Sequence, residues 1–126
     1  MQELSLAVVG LDFPNADKSR SNRRFEVALC RPGDPVELRP EPKNPADPRA
    51  VAVYSERGVQ LGYLSAERCG LVGKKMRDGE PYRAVFQDAG RYKAVIRLRF
   101  GGGEPTVPTK GEEPEPDEYA QESWDD

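Results

Sequence analysis

Pro42-Lys43-Asn44-Pro45-Ala46-Asp47-Pro48-Arg49-Ala50-Val51-Ala52-Val53, then a Glu56-Arg57-Gly58 turn and Gln60-Leu61-Gly62-Tyr63-Leu64, is the most informative run in the chain. Counting from Pro40, four prolines fall within nine residues, and each fixes its own φ, so the backbone enters Val51 stiff and preset. Val51 and Val53 then alternate with Ala50 and Ala52, the period of a half-buried strand. The Gly58 turn reverses the chain and Val59 to Leu64 returns, which predicts a hairpin.

Upstream, Leu4 to Gly10 reads as a strand with Leu4, Leu6 and Val8 on one face and Ala7 and Val9 on the other, so both faces are expected to be covered. Leu11 to Asn22 is polar and Asx-rich, a surface loop. Phe25 to Leu29 alternates Phe25, Val27 and Leu29 against Glu26 and Ala28, which predicts a second strand with the apolar set inward. Arg31-Pro32-Gly33-Asp34-Pro35 is turn chemistry, and Val36 to Arg39 is a short strand.

Downstream, Ser65 stands where a helix N-cap belongs, with Glu67 in the first turn where a carboxylate suits the helix dipole. The helix is expected to run to about Arg77, burying Cys69, Val72 and Met76. Gly70 and Gly73 each cost it about 1 kcal/mol relative to Ala, so it needs tertiary packing. Tyr82 to Gln87 and Arg91 to Phe100 are the last strands. In the second, Tyr92, Ala94, Ile96, Leu98 and Phe100 face one way and Arg91, Lys93, Arg97 and Arg99 the other. That basic row reads first as an ordinary solvated face, although alternate strand residues stand roughly 7 Å apart, close to the spacing of successive phosphates.

About six short strands with one or two short helices argue for a mainly β fold, a small barrel. Gly101-Gly102-Gly103 closes it, giving a domain over residues 1–103. Residues 104–126, rich in Glu, Asp and Pro, read as a disordered acidic tail. Charge divides the same way: residues 1–103 hold 18 Lys or Arg against 13 Asp or Glu, and the remainder one Lys against nine acids. A basic body suits a polyanionic partner.

The chain has no histidine, so no Ser-His or Cys-His nucleophile can be assembled. An acid-only site, with pairs such as Asp12 and Asp47, is the one catalytic option left, and exposed acids are ordinarily just solvated. The expectation is therefore no enzyme and no cofactor. Cys30 and Cys69 lack metal-ligand spacing and read as free, reduced thiols, with no metal site. Glu3 stands where a secretory leader wants a basic residue and no apolar run approaches a membrane span, so the expected location is the cytoplasm.

The Asn44-Pro45-Ala46-Asp47 block, its spacing to Ala50-Val51-Ala52-Val53, and Gly62-Tyr63-Leu64 leading into a helix resemble the HIRAN domain, found alone in bacterial proteins and fused to chromatin-remodelling helicases. The resemblance spans about residues 4 to 100. It implies an OB-like β-barrel whose pocket, in the helicase-attached members, captures the free 3′-hydroxyl end of single-stranded DNA. Carried over position by position, Asp47 matches the acid that accepts the terminal hydroxyl and Asn44 the polar residue beside the end base. Phe13 falls where a ring stacks on that base, and Tyr63 where a ring lines the phosphate path. Lys43, Arg49 and Arg68 are the basic residues placed to meet phosphates. Three positions depart from the pattern: Ala46 replaces a second stacking Tyr, Asp12 an Arg, and Ala66 a basic residue of the early helix.

A carboxylate accepts a ribose hydroxyl's proton and repels a terminal phosphate, so such a pocket tests for an unblocked end. The expected partner is thus single-stranded DNA or a DNA 3′ end in repair or replication, together with a helicase, nuclease or other DNA-processing protein. The bland reading is that Asn44 and Asp47 only cap the turns beside Pro45 and Pro48. The alternative function is a protein-interaction adaptor using the barrel surface or the acidic tail, where Tyr119 and Trp124 stand among acids.

Overall fold

The computed structural model describes residues 2–15, 21–90 and 93–107. Among these, six strands and two helices follow one another: β1 (Gln2–Val9), α1 (Arg23–Leu29), β2 (Val36–Pro40), β3 (Val51–Ser55), β4 (Gln60–Leu64), α2 (Ala66–Arg77), β5 (Tyr82–Ala89) and β6 (Ala94–Phe100). All six strands belong to one antiparallel sheet in the order β2-β3-β4-β1-β6-β5. The expected hairpin forms, with Ala52 opposite Tyr63 and Val53 opposite Gly62.

The sheet curls until its two edges meet, making a half-barrel. The Gly33 N–H donates to the Phe86 carbonyl at 2.8 Å and the Phe86 N–H to the Asp34 carbonyl at 2.7 Å, so the chain entering β2 seals against β5. Tyr82 adds its hydroxyl, which accepts from the Leu38 N–H at 3.2 Å. Inward side chains from every strand fill the interior: Leu6, Val8, Leu38, Val53, Leu61, Phe86, Ile96, Leu98 and Phe100 are all buried. On β1 the opposite face is covered too, since Ser5 and Ala7 are buried. Burial of so much apolar surface, at about 25 cal/mol per Å², is the main force holding the sheet curled.

Residues 25–29 correct the sequence expectation: they are helical, not extended. Asn22 caps this helix, its Oδ1 accepting the Phe25 N–H at 2.9 Å. The inward residues are Arg23, Glu26 and Val27, while Phe25 and Leu29 point out, 66% and 46% exposed. Buried Glu26 accepts from the Ser55 hydroxyl at 2.7 Å and from Arg57 Nε at 2.6 Å. Apolar residues at i, i+2 and i+4 fit a strand template, but over seven residues that pattern is weaker than a cap and a buried carboxylate with two tertiary donors.

The second helix starts and stops as expected, and its Cys69 and Val72 join the core with Met76 packed against it. Ser65 occupies the N-cap position yet makes no capping bond; its hydroxyl is buried without a partner. A Cβ at Gly73 would meet Arg77 of the same helix at 3.4 Å and Val51 of β3 at 3.8 Å, and one at Gly70 would meet Arg49, in the turn before β3, at 3.9 Å. Strand β6 begins at Ala94, and the expected inward Tyr92 and outward Arg91 lie outside the described residues. Past β6, the Thr106 N–H and hydroxyl both donate to Glu3, which holds this segment against β1.

Candidate functional site

The Pro-rich turn between β2 and β3 builds itself from its own Asx side chains. Asn44 Oδ1 accepts the N–H of Ala46 at 2.8 Å and of Asp47 at 3.2 Å, and Asp47 Oδ1 accepts the N–H of Arg49 at 2.8 Å. This is the bond pattern of successive Asx turns, which hold residues 44–49 in one conformation. The Arg49 N–H, supported by the Arg49 side chain, holds the Asp47 carboxyl below its ordinary range, so it is ionised at neutral pH. Its second oxygen, Oδ2, takes part in neither bond.

Glu41 links this turn to β4. Its Oε1 accepts from Asn44 Nδ2 at 2.9 Å and from the Tyr63 hydroxyl at 2.9 Å. Burial pushes the Tyr63 hydroxyl above its ordinary pKa; a bond with Gln60 pulls the other way, and Glu41 raises it further. On the other side of Tyr63 stands the guanidinium of Arg23, 5.6 Å from the ring centroid. Arg23 is itself buried, donating to Asn15 Oδ1 at 2.7 Å and to the Gly10 carbonyl at 2.8 Å.

Phe13 completes the strip. A Cβ at Gly10 would lie 3.6 Å from the Phe13 ring and 3.5 Å from Arg23, so ring and guanidinium border the same glycine. The Phe13 side chain is 66% exposed and flanks a half-open pocket shared with Leu11, Pro14 and the start of α1. Across that pocket Asp12 pairs with Arg24. The acid at position 12 is thus neutralised by a neighbour rather than facing an incoming anion alone.

Of the residues singled out from the sequence, Asn44 and Tyr63 meet on Glu41, Asp47 and Arg49 share the turn, and Phe13 reaches Tyr63 by way of Gly10 and Arg23. Lys43 is exposed in the Glu41–Asn44 turn. Arg68 lies in the first turn of α2, its N–H on the Ser65 carbonyl. Sequence reasoning missed Glu41 and Arg23. Glu41 carried no signal beyond being one acid among prolines, and Arg23 became findable only with the Asn22 cap that places it on the inner side of α1.

The basic row of β6, expected as a solvated face, is instead half-buried and paired at Arg97 and Arg99, while Arg91 lies outside the described residues. Arg97 donates to Glu3 at 2.8 Å and to Ser5 at 2.6 Å, and Arg99 reaches Glu3 at 3.2 Å. Both cysteines are free thiols, and burial pushes Cys30 up to about 11, far from a reactive thiolate. Among the described residues no cluster of His, Cys, Asp or Glu is built to hold a metal ion, and no helix is long and apolar enough to cross a membrane.

Two solved structures share this architecture. The crystal structure of the HIRAN domain of human HLTF is 22% identical, with a TM-score of 0.62 over 78% of this chain and 74% of that one. A crystal structure of a protein from Lactobacillus plantarum is 17% identical, with a TM-score of 0.64 over 80% of this chain and 98% of that one. No curated protein matches the chain. The HIRAN domain model matches residues 1–88, which takes in β1 to β4, both helices and the Pro-rich turn, and the chain therefore belongs to the HIRAN domain family.

Proposed function

We propose that this protein is a non-catalytic module that binds single-stranded DNA and recognises its free 3′-hydroxyl end. The observation that carries the reading is the continuous strip from the exposed Phe13 ring through Arg23 and Tyr63 to Glu41, Asn44 and the Asp47 turn. A base stacked on Phe13 gains about 1–3 kcal/mol without any reading of sequence. Asp47, ionised and with Oδ2 outside the bonds of its own turn, accepts a hydrogen bond from the hydroxyl of an unblocked end and repels a phosphorylated one. Lys43, Arg49 and Arg68 meet the backbone phosphates, which makes affinity fall with salt.

A module of this kind contributes by position, bringing a helicase, nuclease or other DNA-processing protein to a strand end in repair or replication. The test is fluorescence anisotropy of short oligonucleotides that differ only in a 3′-hydroxyl or 3′-phosphate. Tighter binding of the hydroxyl end is expected. Equal binding removes end recognition, and no binding to either at low salt removes nucleic acid altogether. A second reading, an interaction adaptor, is favoured by one feature: Phe25 and Leu29 stand exposed on α1 away from the strip.

A further inference from the structure

Phe25 and Leu29 lie one turn apart on the outer side of α1, 66% and 46% exposed, while Arg23, Glu26 and Val27 occupy the inner side. Residues i and i+4 of a helix are neighbours on one face, so the two side chains form an apolar ridge. Arg24 precedes the ridge and exposed Arg31 follows it. Arg24 is held by Asp12, so the surface is apolar at its centre and basic at its Arg31 end.

The chain carries the complement of this surface. Residues 108–126 hold eight acids and one lysine around Tyr119 and Trp124. Their starting point is known, because Thr106 is bonded to Glu3 on β1. Nineteen residues span about 60 Å when extended, whereas a body of about 100 residues has a radius of gyration of only about 13 Å, so the segment reaches any face. Tethering also raises its effective concentration to about the millimolar range, enough for a weak contact to form.

We infer that the acidic C-terminal segment docks on the Phe25–Leu29 ridge, its Tyr119 and Trp124 rings on the apolar side chains and its carboxylates toward Arg31. This goes beyond the nucleic-acid reading and does not rest on it.

The chain has one tryptophan, Trp124, and its emission reports docking directly. The full chain at low salt is compared with a synthetic peptide of residues 108–126. The expected result is blue-shifted emission in the full chain, weakened by high salt and lost in a Phe25→Glu, Leu29→Glu double variant. Both positions are exposed, so the variant is expected to keep its far-ultraviolet circular dichroism; if it unfolds, the single variants Phe25→Ser and Leu29→Ser replace it. Emission equal to that of the free peptide overturns the proposal, as does a shift that survives in the folded variants. A shift that grows with protein concentration assigns the ridge to the tail of a second copy and overturns docking within one chain.

Discussion

The Tyr63 hydroxyl donates to Glu41 Oε1 over 2.9 Å, tying β4 to the turn that leaves β2. Because Asn44 donates to the same oxygen, one carboxylate orients both the ring and the amide that line the strip.

Glu41→Ala leaves two donors without their acceptor, whereas Tyr63→Phe takes away the hydroxyl with its bonds to Glu41 and Gln60 and leaves Glu41 its bond from Asn44. Chemical denaturation is expected to show a loss of about 0.5–1.5 kcal/mol for Tyr63→Phe and a larger loss for Glu41→Ala, with Glu41→Gln intermediate because it keeps Oε1. A Glu41→Ala protein as stable as the parent contradicts the linking role.

Gly62 and Gly70 are expected to respond in opposite directions to alanine. A Cβ at Gly62 falls 2.3 Å from the Val9 carbonyl oxygen, where β1 and β4 pair, and backbone has little room to give. Gly62→Ala is expected to cost about 2–3 kcal/mol. At Gly70 the nearest atoms are Arg49 side-chain atoms at 3.9 Å, ordinary contact, so Gly70→Ala is expected to add up to about 1 kcal/mol through helix propensity. Thermal unfolding of the two variants checks both signs.

Acid sensitivity is expected to centre on Glu3. Burial alone raises its pKa, but the bonds from Thr106 and Arg97 outweigh burial and lower the pKa from 4.5 to about 2. A carboxyl depressed in the folded state contributes stability that is complete above pH 4.5 and is lost as pH falls from there toward 2. The loss is on the order of 1–3 kcal/mol. Denaturation midpoints measured at several pH values are expected to fall across that window in the parent and to flatten in Glu3→Gln.

Two sets of basic residues are expected to separate in DNA titrations. Arg97 and Arg99 are occupied by Glu3, so neutralising them is expected to change stability and leave oligonucleotide affinity within about twofold. Lys43→Ala and Arg49→Ala are expected to weaken binding and to reduce the salt slope by about one unit per phosphate lost. An unchanged slope in both contradicts phosphate contact at this turn.

Much of the barrel was legible because its strands announce themselves locally. Val51 and Val53 alternate, Gly58 turns the hairpin, and Ile96, Leu98 and Phe100 keep a clean period of two. The first helix was not legible, since Phe25, Val27 and Leu29 mimic that period and the deciding partner of Glu26, Arg57, lies 31 residues away. For the site, the Asn-Pro-x-Asp block could be read as turn chemistry and as a family motif. What joins it to Tyr63 and Phe13 could not, because Glu41 and Arg23 matter only through long-range packing. Bonds of that kind leave no spacing in a sequence.

Asp47→Asn bears most closely on the proposed end recognition, since an amide keeps the turn acceptor for the Arg49 N–H and removes the charge. Titrating parent and variant with 3′-hydroxyl and 3′-phosphate oligonucleotides is expected to show about a tenfold or greater preference for the hydroxyl end in the parent. That preference is expected to collapse in the variant while its fold is retained. A preference of the same size in both proteins would mean that Asp47 serves its turn alone and that the end is read elsewhere or not at all.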